Sequence, residues 1–417
     1  MKPEAPCFLL WGFEMRVLWL LVVLATLAGD VNAEWTQWRG PQRDGIVSGF
    51  QLPNTWPEKL DRVWRKKVGY GYASPVAGDG AIYTFTREKE DEVVRKLDLG
   101  SGKEKWRSKY KVPLEMDWYG SGNHPKSTPA LADGRLVTFG ITGILTCWDA
   151  ESGMVIWRKS FDDEFEEAYP KFGAAASPLI ADGKVFVHCG GSKGGALRCF
   201  SLESGDVVWS WSEDGPGYAS PILVEAGEGR HLVTQTEHFL LAVDVESGAE
   251  AWRIPFETAQ EQNVITPLSA TDMVFYSGYE AGTHAIRVRK DEAWTTEEVW
   301  SQKGISQYMG SPVLVDSLLI GFDHKKKGRL FCLDAATGEV LWLTRGRWGK
   351  TASIAVIGAH LAVLSVDGEL SFVPVSREGY RTAAQYTVGD SDTWAHPAFI
   401  DGYIVIKEER HLSVWRF

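Results

Sequence analysis

Five times in this chain a glycine stands four residues ahead of a tryptophan, at the turn between two short apolar runs. The copies are Leu97-Asp-Leu-Gly-Ser-Gly102 with Trp106, Cys147-Trp-Asp-Ala-Glu-Ser-Gly153 with Trp157, Cys199-Phe-Ser-Leu-Glu-Ser-Gly205 with Trp209, Ala242-Val-Asp-Val-Glu-Ser-Gly248 with Trp252, and Phe331-Cys-Leu-Asp-Ala-Ala-Thr-Gly338 with Trp342. A looser copy ends at Trp300. Each reads as a strand, a tight turn and a second strand: Asp, Ser and Thr bond locally to backbone, Gly tolerates positive φ, and β-branched and aromatic residues suit the strand that follows. A lone hairpin is marginal in water, so such units must bury one another.

The other half of the unit is a Ser/Thr-Pro step followed by an apolar strand, a turn and a second strand, as in Ala73-Ser-Pro-Val-Ala-Gly-Asp-Gly80, Ser127-Thr-Pro-Ala-Leu-Ala-Asp-Gly134 and Ala176-Ser-Pro-Leu-Ile-Ala-Asp-Gly183. Asp-Gly between apolar runs is a strong hairpin signal. The prolines are Pro75, Pro129, Pro178, Pro221, Pro267, Pro312 and Pro397, and the long gap before the last holds a copy at Ala352-Ser-Ile354 in which Ile replaces Pro. Eight units of four short strands predict an all-β, eight-bladed propeller. The last unit, from Ala395 to Phe417, lacks its outer strand, and Asp61-Arg-Val-Trp64 is an unpaired copy of one. Pairing the two closes the ring. Trp64, Trp106, Trp157, Trp209, Trp252, Trp300 and Trp342 are expected to fill the gaps between blades, each indole finding a backbone carbonyl.

Three segments follow. Residues 1–33 read as a signal peptide, with Arg16, the apolar run Val17–Ala28 and a small-residue site ending at Ala33. Residues 34–57 are an irregular Trp/Pro/Gly-rich arm expected to pack across the body, and 58–417 form the propeller. The reading implies export to the periplasm or the exterior, no lipid-anchor cysteine after the apolar run, no membrane span once the leader is removed, and a monomer. Export permits disulfides, and Cys189 and Cys199 flank one hairpin. Yet Cys147, Cys199 and Cys332 share one repeat position, as small buried hydrophobes would. A formal net charge of −11 argues against nucleic-acid partners.

The Leu-Asp-x-x-Ser/Thr-Gly-x-x-x-Trp copies resemble the repeats of the pyrroloquinoline-quinone (PQQ)-like β-propeller family over residues 58–417. That family holds quinone-dependent alcohol and sugar dehydrogenases, a non-catalytic assembly factor of the outer-membrane β-barrel insertion machine, and exported propellers whose opening Trp35-Thr-Gln-Trp-Arg-Gly-Pro41 resembles. The dehydrogenase resemblance would imply PQQ with calcium held by Glu, Asn and Asp beside a vicinal cysteine pair; the sequence has no adjacent cysteines, and no carboxylate set pairs with Asn123 and Asn263. No cofactor, metal site or catalytic residue is assigned. Two readings stand: an exported, non-catalytic scaffold for a protein or small-molecule ligand, and a reduced PQQ-dependent dehydrogenase of alcohols or sugars.

A site on a propeller belongs to the loops at one end of its channel. The loops entering the innermost strands carry Tyr70, Tyr72, Trp118, Asn123, His124, Tyr218, Asn263, Tyr308, Trp394 and His396, a set suited to a ligand-binding mouth or to an aromatic plug. His124 and His396 have the chemistry of a general base, or of turn residues beside proline. The runs Asp162–Glu167 and His324–Lys327 read as solvated loops.

Overall fold

The computed structural model describes Met1 and residues 34–112, 122–226, 229–259, 262–290 and 292–417. The body of the expected signal peptide, and Trp118, lie outside them. Eight antiparallel sheets succeed one another along the chain as blades 1 to 8 of a closed ring. Blade 1 spans 76–111, blade 2 130–159, blade 3 179–211, blade 4 222–255, blade 5 268–302, blade 6 313–343 and blade 7 352–387. Blade 8 takes three strands from the C-terminus and its outer strand, Asp61–Lys67, from the N-terminus, with Trp64 opposite Val414. Among the described residues no helix is long and apolar enough to cross a membrane.

The turns form as their residues dictate. At the Asp-Gly hairpins both residues take positive φ, for example Asp133 at 50° and Gly134 at 69°, the geometry whose twist matches paired strands. In the second turn of the unit the Asp149 carboxylate accepts from the Ser152 amide at 2.8 Å and its hydroxyl at 2.6 Å, while the Gly153 amide donates to the Asp149 carbonyl. The same arrangement recurs at Asp98, Asp244 and Asp334.

The glycine and tryptophan of one copy serve different neighbours. Immediately before each of the seven tryptophans one residue bulges out of the ladder, Ile156 before Trp157 and Val208 before Trp209 among them. A bulge re-aims the side chain beside it, and the indole swings onto the next blade. Trp64 donates to the carbonyl of Leu99, Trp106 to Ala150, Trp157 to Leu202, Trp209 to Val245, Trp300 to Ala335 and Trp342 to Ser376, at 2.8–3.1 Å. The ring of the indole lies on the turn glycine of that next blade: a Cβ on Gly102 would meet Trp64 at 2.7 Å, and one on Gly205 would meet Trp157 at 2.7 Å. Blade 5 departs from this. Its third and fourth strands run on as nine-residue strands without the Ser-Gly turn, Val288 stays in the ladder opposite Thr296, and the buried Trp252 indole N–H of blade 4 has no acceptor. Blade 7 ends on Tyr386, whose hydroxyl reaches the Pro57 carbonyl at 3.0 Å.

All four cysteines of the described body are buried free thiols. Cys147, Cys199 and Cys332 stand directly across the ladder from Trp157, Trp209 and Trp342, where a small side chain leaves the indole room. Cys189 faces Ala196, so it and Cys199 are out of register and unbridged.

The first part of the arm, from Trp35 to Val47, lies along the innermost strands of the ring. Innermost strands present an unpaired edge to the axis, and unmet buried amides are costly. The arm answers them blade by blade. The carbonyls of Trp35 and Thr36 and the side-chain amide oxygen of Gln37 accept from Ala77, Leu131 and Ile180, equivalent residues of blades 1, 2 and 3, at 2.8–2.9 Å. Gly45 does the same for Val356 of blade 7, where Ile46–Val47 add a fifth, parallel strand. Blade 7 is the copy without proline: its innermost strand, Ala352–Ile357, has six residues, and Ile354 lies within the ladder opposite Val363, a place for a residue that keeps its N–H. The buried guanidiniums of Arg39 and Arg43 donate to the carbonyls of Pro312 and of Ser177 and Pro178.

Gly205→Ala and Gly134→Ala separate two roles of glycine. Both positions have positive φ, but nothing lies within 4 Å of a Cβ at Gly134. Urea unfolding should show a loss of about 1 kcal/mol for Gly134→Ala from backbone strain, and about 3 kcal/mol for Gly205→Ala, where the indole must also move. Equal losses would refute the stacking role.

Candidate functional site: an aromatic cup at the mouth of the ring

The residues before each proline build a belt around the channel. The hydroxyl of the Ser/Thr accepts from the same amide of the preceding blade: His396 N–H to Ser74 at 2.8 Å, Ser74 to Thr128 at 3.1 Å, Thr128 to Ser177 at 2.9 Å, Ser177 to Ser220 at 2.9 Å, and Thr266 to Ser311 at 3.0 Å. Above the belt opens a cavity of about 980 Å³ to which all eight blades contribute. Its floor includes Trp38 of the arm, whose indole donates to the Thr266 hydroxyl at 2.9 Å and packs on His396 with ring centres 4.4 Å apart.

The wall is made of aromatic groups in contact. Tyr72 and Trp394 lie 5.8 Å apart, Phe172 and Tyr218 5.8 Å, and Tyr279 sits 4.9 Å from Tyr308 and 4.8 Å from His324. Burial raises the phenols of Tyr72 and Tyr308 above their ordinary range, so both are neutral donors. Lys126, Lys327 and Lys350 bring positive charge, Asp367 and Asp392 negative charge.

Five of the ten candidates read from the sequence line this cup: Tyr72, Tyr218, Tyr308, Trp394 and His396. The others do not. Tyr70 stacks on His124 at 4.8 Å and carries the Arg410 guanidinium over its ring at 4.1 Å, and neither Tyr70 nor His124 lines the cavity. Asn263 is fully buried and its amide donates to the carbonyls of Thr236, Glu237 and Phe256. Asn123 is half-buried beside His124, off the lining. The basic run at 324–327 is more than a solvated tip, since His324 and Lys327 face the cup. The acidic run is partly paired, Glu164 with Arg198 and Glu166 and Glu167 with Lys193.

Sequence reasoning passed over Trp38, Lys126, Tyr279, Lys350, Asp367 and Asp392. Tyr279 and Asp367 sit in turns between second and third strands. In an up-and-down blade that turn returns to the end where the innermost strand begins, a parity available from the strand count. Trp38 gave no such signal, because the arm has no repeat to place it.

The donors that PQQ and calcium would require are not gathered here. Among the described residues the carboxylates of the lining are Asp367 and Asp392, on blades 7 and 8; no asparagine and no cysteine lines the cavity, and Asn263 is committed to backbone. Asp214, Glu237 and His238 approach one another within 4.8 Å off the lining, where Asp214 is held by the Thr236 hydroxyl and the His238 amide.

An eight-bladed ring of this repeat, with an arm in its channel and a cup at its mouth, defines a PQQ-like β-propeller. Residues 90–344 match the family described as outer membrane protein assembly factor BamB, and the chain belongs to that family. The assembly factor BamB of Bordetella pertussis is 27% identical over 290 residues, covering 69% of this chain and 56% of that protein. The quinohemoprotein alcohol dehydrogenase ADH-IIG of Pseudomonas putida is 25% identical over 76% of this chain and 38% of its own length. This chain thus spans a little over half of the first of these relatives and well under half of the second. Among solved structures, BamB from Moraxella catarrhalis superposes with a TM-score of 0.62 at 16% identity, over 86% of this chain and 98% of that one, a likeness of fold.

Two buried histidines and one half-buried make stability depend on pH. Desolvation holds His396 down to about 3, and His124 and His188 down to about 4; for His124 the charges of Arg87, Lys407 and Lys126 add to it. Groups this weak in basicity are poor general bases at neutral pH. They stay neutral in the folded protein while the unfolded chain protonates near 6.5, so stability is full above that value and falls as pH drops toward 4. Urea midpoints between pH 7 and 4.5 should decline less in His396→Gln than in the parent, by up to about 1.4 kcal/mol per pH unit. Parallel declines would show that His396 titrates normally.

Proposed function

We propose that this chain is an exported, non-catalytic propeller that acts as a binding scaffold in the cell envelope, presenting its aromatic cup to a protein or small-molecule partner. The observation that carries the reading is the cup itself: rigid aromatic side chains from separate blades converge over a hydrogen-bonded belt, and such preformed concave sites are where ligands bind. Membership in a family described by its assembly factor favours a scaffold over an enzyme. Among the described residues the lining also lacks the donor set that the dehydrogenase resemblance implies. The leader read from residues 1–33 supports export, and the bias against charge-driven nucleic-acid binding fits a net charge of −11.

Capture from the periplasmic extract of the producing cell tests it. The parent protein should retain a partner that the Tyr72/Tyr218/Tyr308/Trp394→Ala variant loses at an unchanged melting temperature. Turnover of alcohols or sugars after reconstitution with PQQ and calcium would overturn the non-catalytic reading in favour of the dehydrogenase.

A further inference from the structure

The chain is acidic overall, with a formal net charge of −11, yet one surface of the ring is densely basic. Two loops carry it: the turn between the second and third strands of blade 6, residues 324–328, and the linker from blade 6 to blade 7, residues 344–351. Between them they hold Lys325, Lys326, Lys327, Arg345, Arg347 and Lys350, all exposed except the half-buried Lys325. Among the described residues none of the six forms an ion pair, and only Lys325 hydrogen-bonds through its side chain, to the Gly304 carbonyl at 3.3 Å. Cations nearby are held differently: Arg329 pairs with Asp323 and Arg377 with Asp334. Like charges at close quarters repel, so the fold gains nothing by gathering six of them.

The backbone takes an unfavourable form to place them. The Gly328 amide donates to the Lys325 carbonyl at 3.0 Å, closing a tight turn in which Lys326 and Lys327 have φ of 53° and 64°. These are the two left-handed positions that the Asp-Gly hairpins fill with Asp and Gly, as at Asp133 and Gly134. A long side chain is strained there, and strain of this kind collects where function holds it. Arg347, with φ of 78°, is a third cation in the same region. The two loops are also fixed to each other. The Gly349 amide donates to the Lys327 carbonyl at 3.2 Å and the Trp348 amide to that of Gly328 at 3.3 Å, while the Trp348 ring packs on Tyr380 at 5.1 Å. The array of charge is therefore ordered before any partner arrives.

What these loops expose is charge and little else: Trp348 is half-buried, and the side chains left open are those of Lys and Arg. Protein interfaces are centred on aromatic and aliphatic anchors and are depleted in lysine. A layer of anionic headgroups needs no such anchor, and clusters of four to eight Lys/Arg bind it by summed attraction. The acidic run at 162–167 lies in the linker between blades 2 and 3, four blades from the basic linker and so on the opposite side of the ring. Repulsion on that side and attraction on this one set the ring against a negative surface with blades 6 and 7 foremost.

We infer that the two basic loops of blades 6 and 7 are a docking surface for an anionic phospholipid membrane, which they meet through headgroup phosphates without inserting. The inference does not depend on what the cup binds. It gives the ring a second surface and an orientation on that membrane.

The test is co-sedimentation of the full-length protein, without its leader, with phosphatidylcholine vesicles that carry phosphatidylglycerol at about 30%. Binding should fall about tenfold between roughly 0.05 and 0.5 M NaCl and should be absent on pure phosphatidylcholine. Lys326→Asn with Lys327→Gly should weaken it about thirtyfold, the sum of two such contacts. The melting temperature of that variant should rise by about two degrees, because Asn-Gly is at ease in this turn, so lost binding cannot be put down to misfolding. Lys59→Asn with Lys103→Asn removes the same charge from exposed positions ahead of the outer strands of blades 8 and 1, and should bind as the parent does. No binding to the anionic vesicles, equal binding to neutral ones, undiminished binding in Lys326→Asn/Lys327→Gly, or an equal loss in the Lys59/Lys103 control would overturn the inference. Polyglutamate offered in place of vesicles is the remaining arm: its retention without vesicle binding would assign the patch to an acidic protein segment and overturn the membrane.

Discussion

Everything in this ring depends on an indole reaching across a gap between blades. Each of the seven tryptophans leaves its own sheet at a bulge; six donate to a carbonyl of the next blade, and five of these lie on that blade's turn glycine. The contact couples dispersion over a large flat ring to a satisfied buried donor, the two things a blade needs at its open face. It also explains why glycine is required twice at one position. The turn demands positive φ, and the neighbouring indole leaves no space for a Cβ. Since the turns of six blades accept an indole from the blade before them, stability is a property of the closed circle. The N-terminal strand beside the C-terminal one is therefore more than a latch: it supplies Trp64, the indole that completes blade 1.

The second constraint is at the axis. Eight innermost strands leave eight unpaired edges pointing at one another, too far apart to pair across the channel. The arm meets this by winding past them, with consecutive residues Trp35, Thr36 and Gln37 serving blades 1, 2 and 3, and Gly45 serving blade 7. Its two arginines are the costly part. Burial lowers Arg39 to about 10 and Arg43 to about 9, and each is repaid in carbonyl hydrogen bonds. The arm also contributes Trp38 to the cup, where its indole is held by the Thr266 hydroxyl.

The frame was legible in the sequence because it repeats. Blade number, the shared strand at the closure, the tryptophan positions and the buried state of three cysteines all follow from comparing copies of one motif, where position within the unit stands in for position in space. What repeats poorly was harder to see. The arm occurs once, so its prolines and glycines read as irregular without saying that it lies inside the ring. Trp252 looks like the other tryptophans along the chain, and the loss of its acceptor is decided by the longer hairpin of blade 5. Asn263 looks like a ligand and proves to be a clamp on three carbonyls, a role that depends on where blades 4 and 5 meet. Tyr70 and His124 fall beside the mouth because they spend their faces on each other.

The belt is what makes the cup more than a gap between loops. Ser177, Ser220, Thr266 and His396 belong at once to the hydrogen-bonded runs from His396 to Ser220 and from Thr266 to Ser311 and to the lining, so much of the base of the cavity is fixed by bonds between neighbouring blades. The aromatic side chains rise two to five residues further out and lean on one another in pairs, which limits the rotamers they can lose on binding. A ligand entering this mouth meets a surface already ordered. Selectivity then falls to the few side chains that repeat does not dictate. Of these Lys126 differs most from its counterparts: blade 1 places Tyr72 near the equivalent point of its entering loop, and blade 4 places Tyr218. A half-buried ammonium beside Phe172 and Tyr218, where the cup's other lysines, Lys327 and Lys350, are exposed, gives the aromatic wall a direction, and direction is what a binding surface built from near-identical blades would lack.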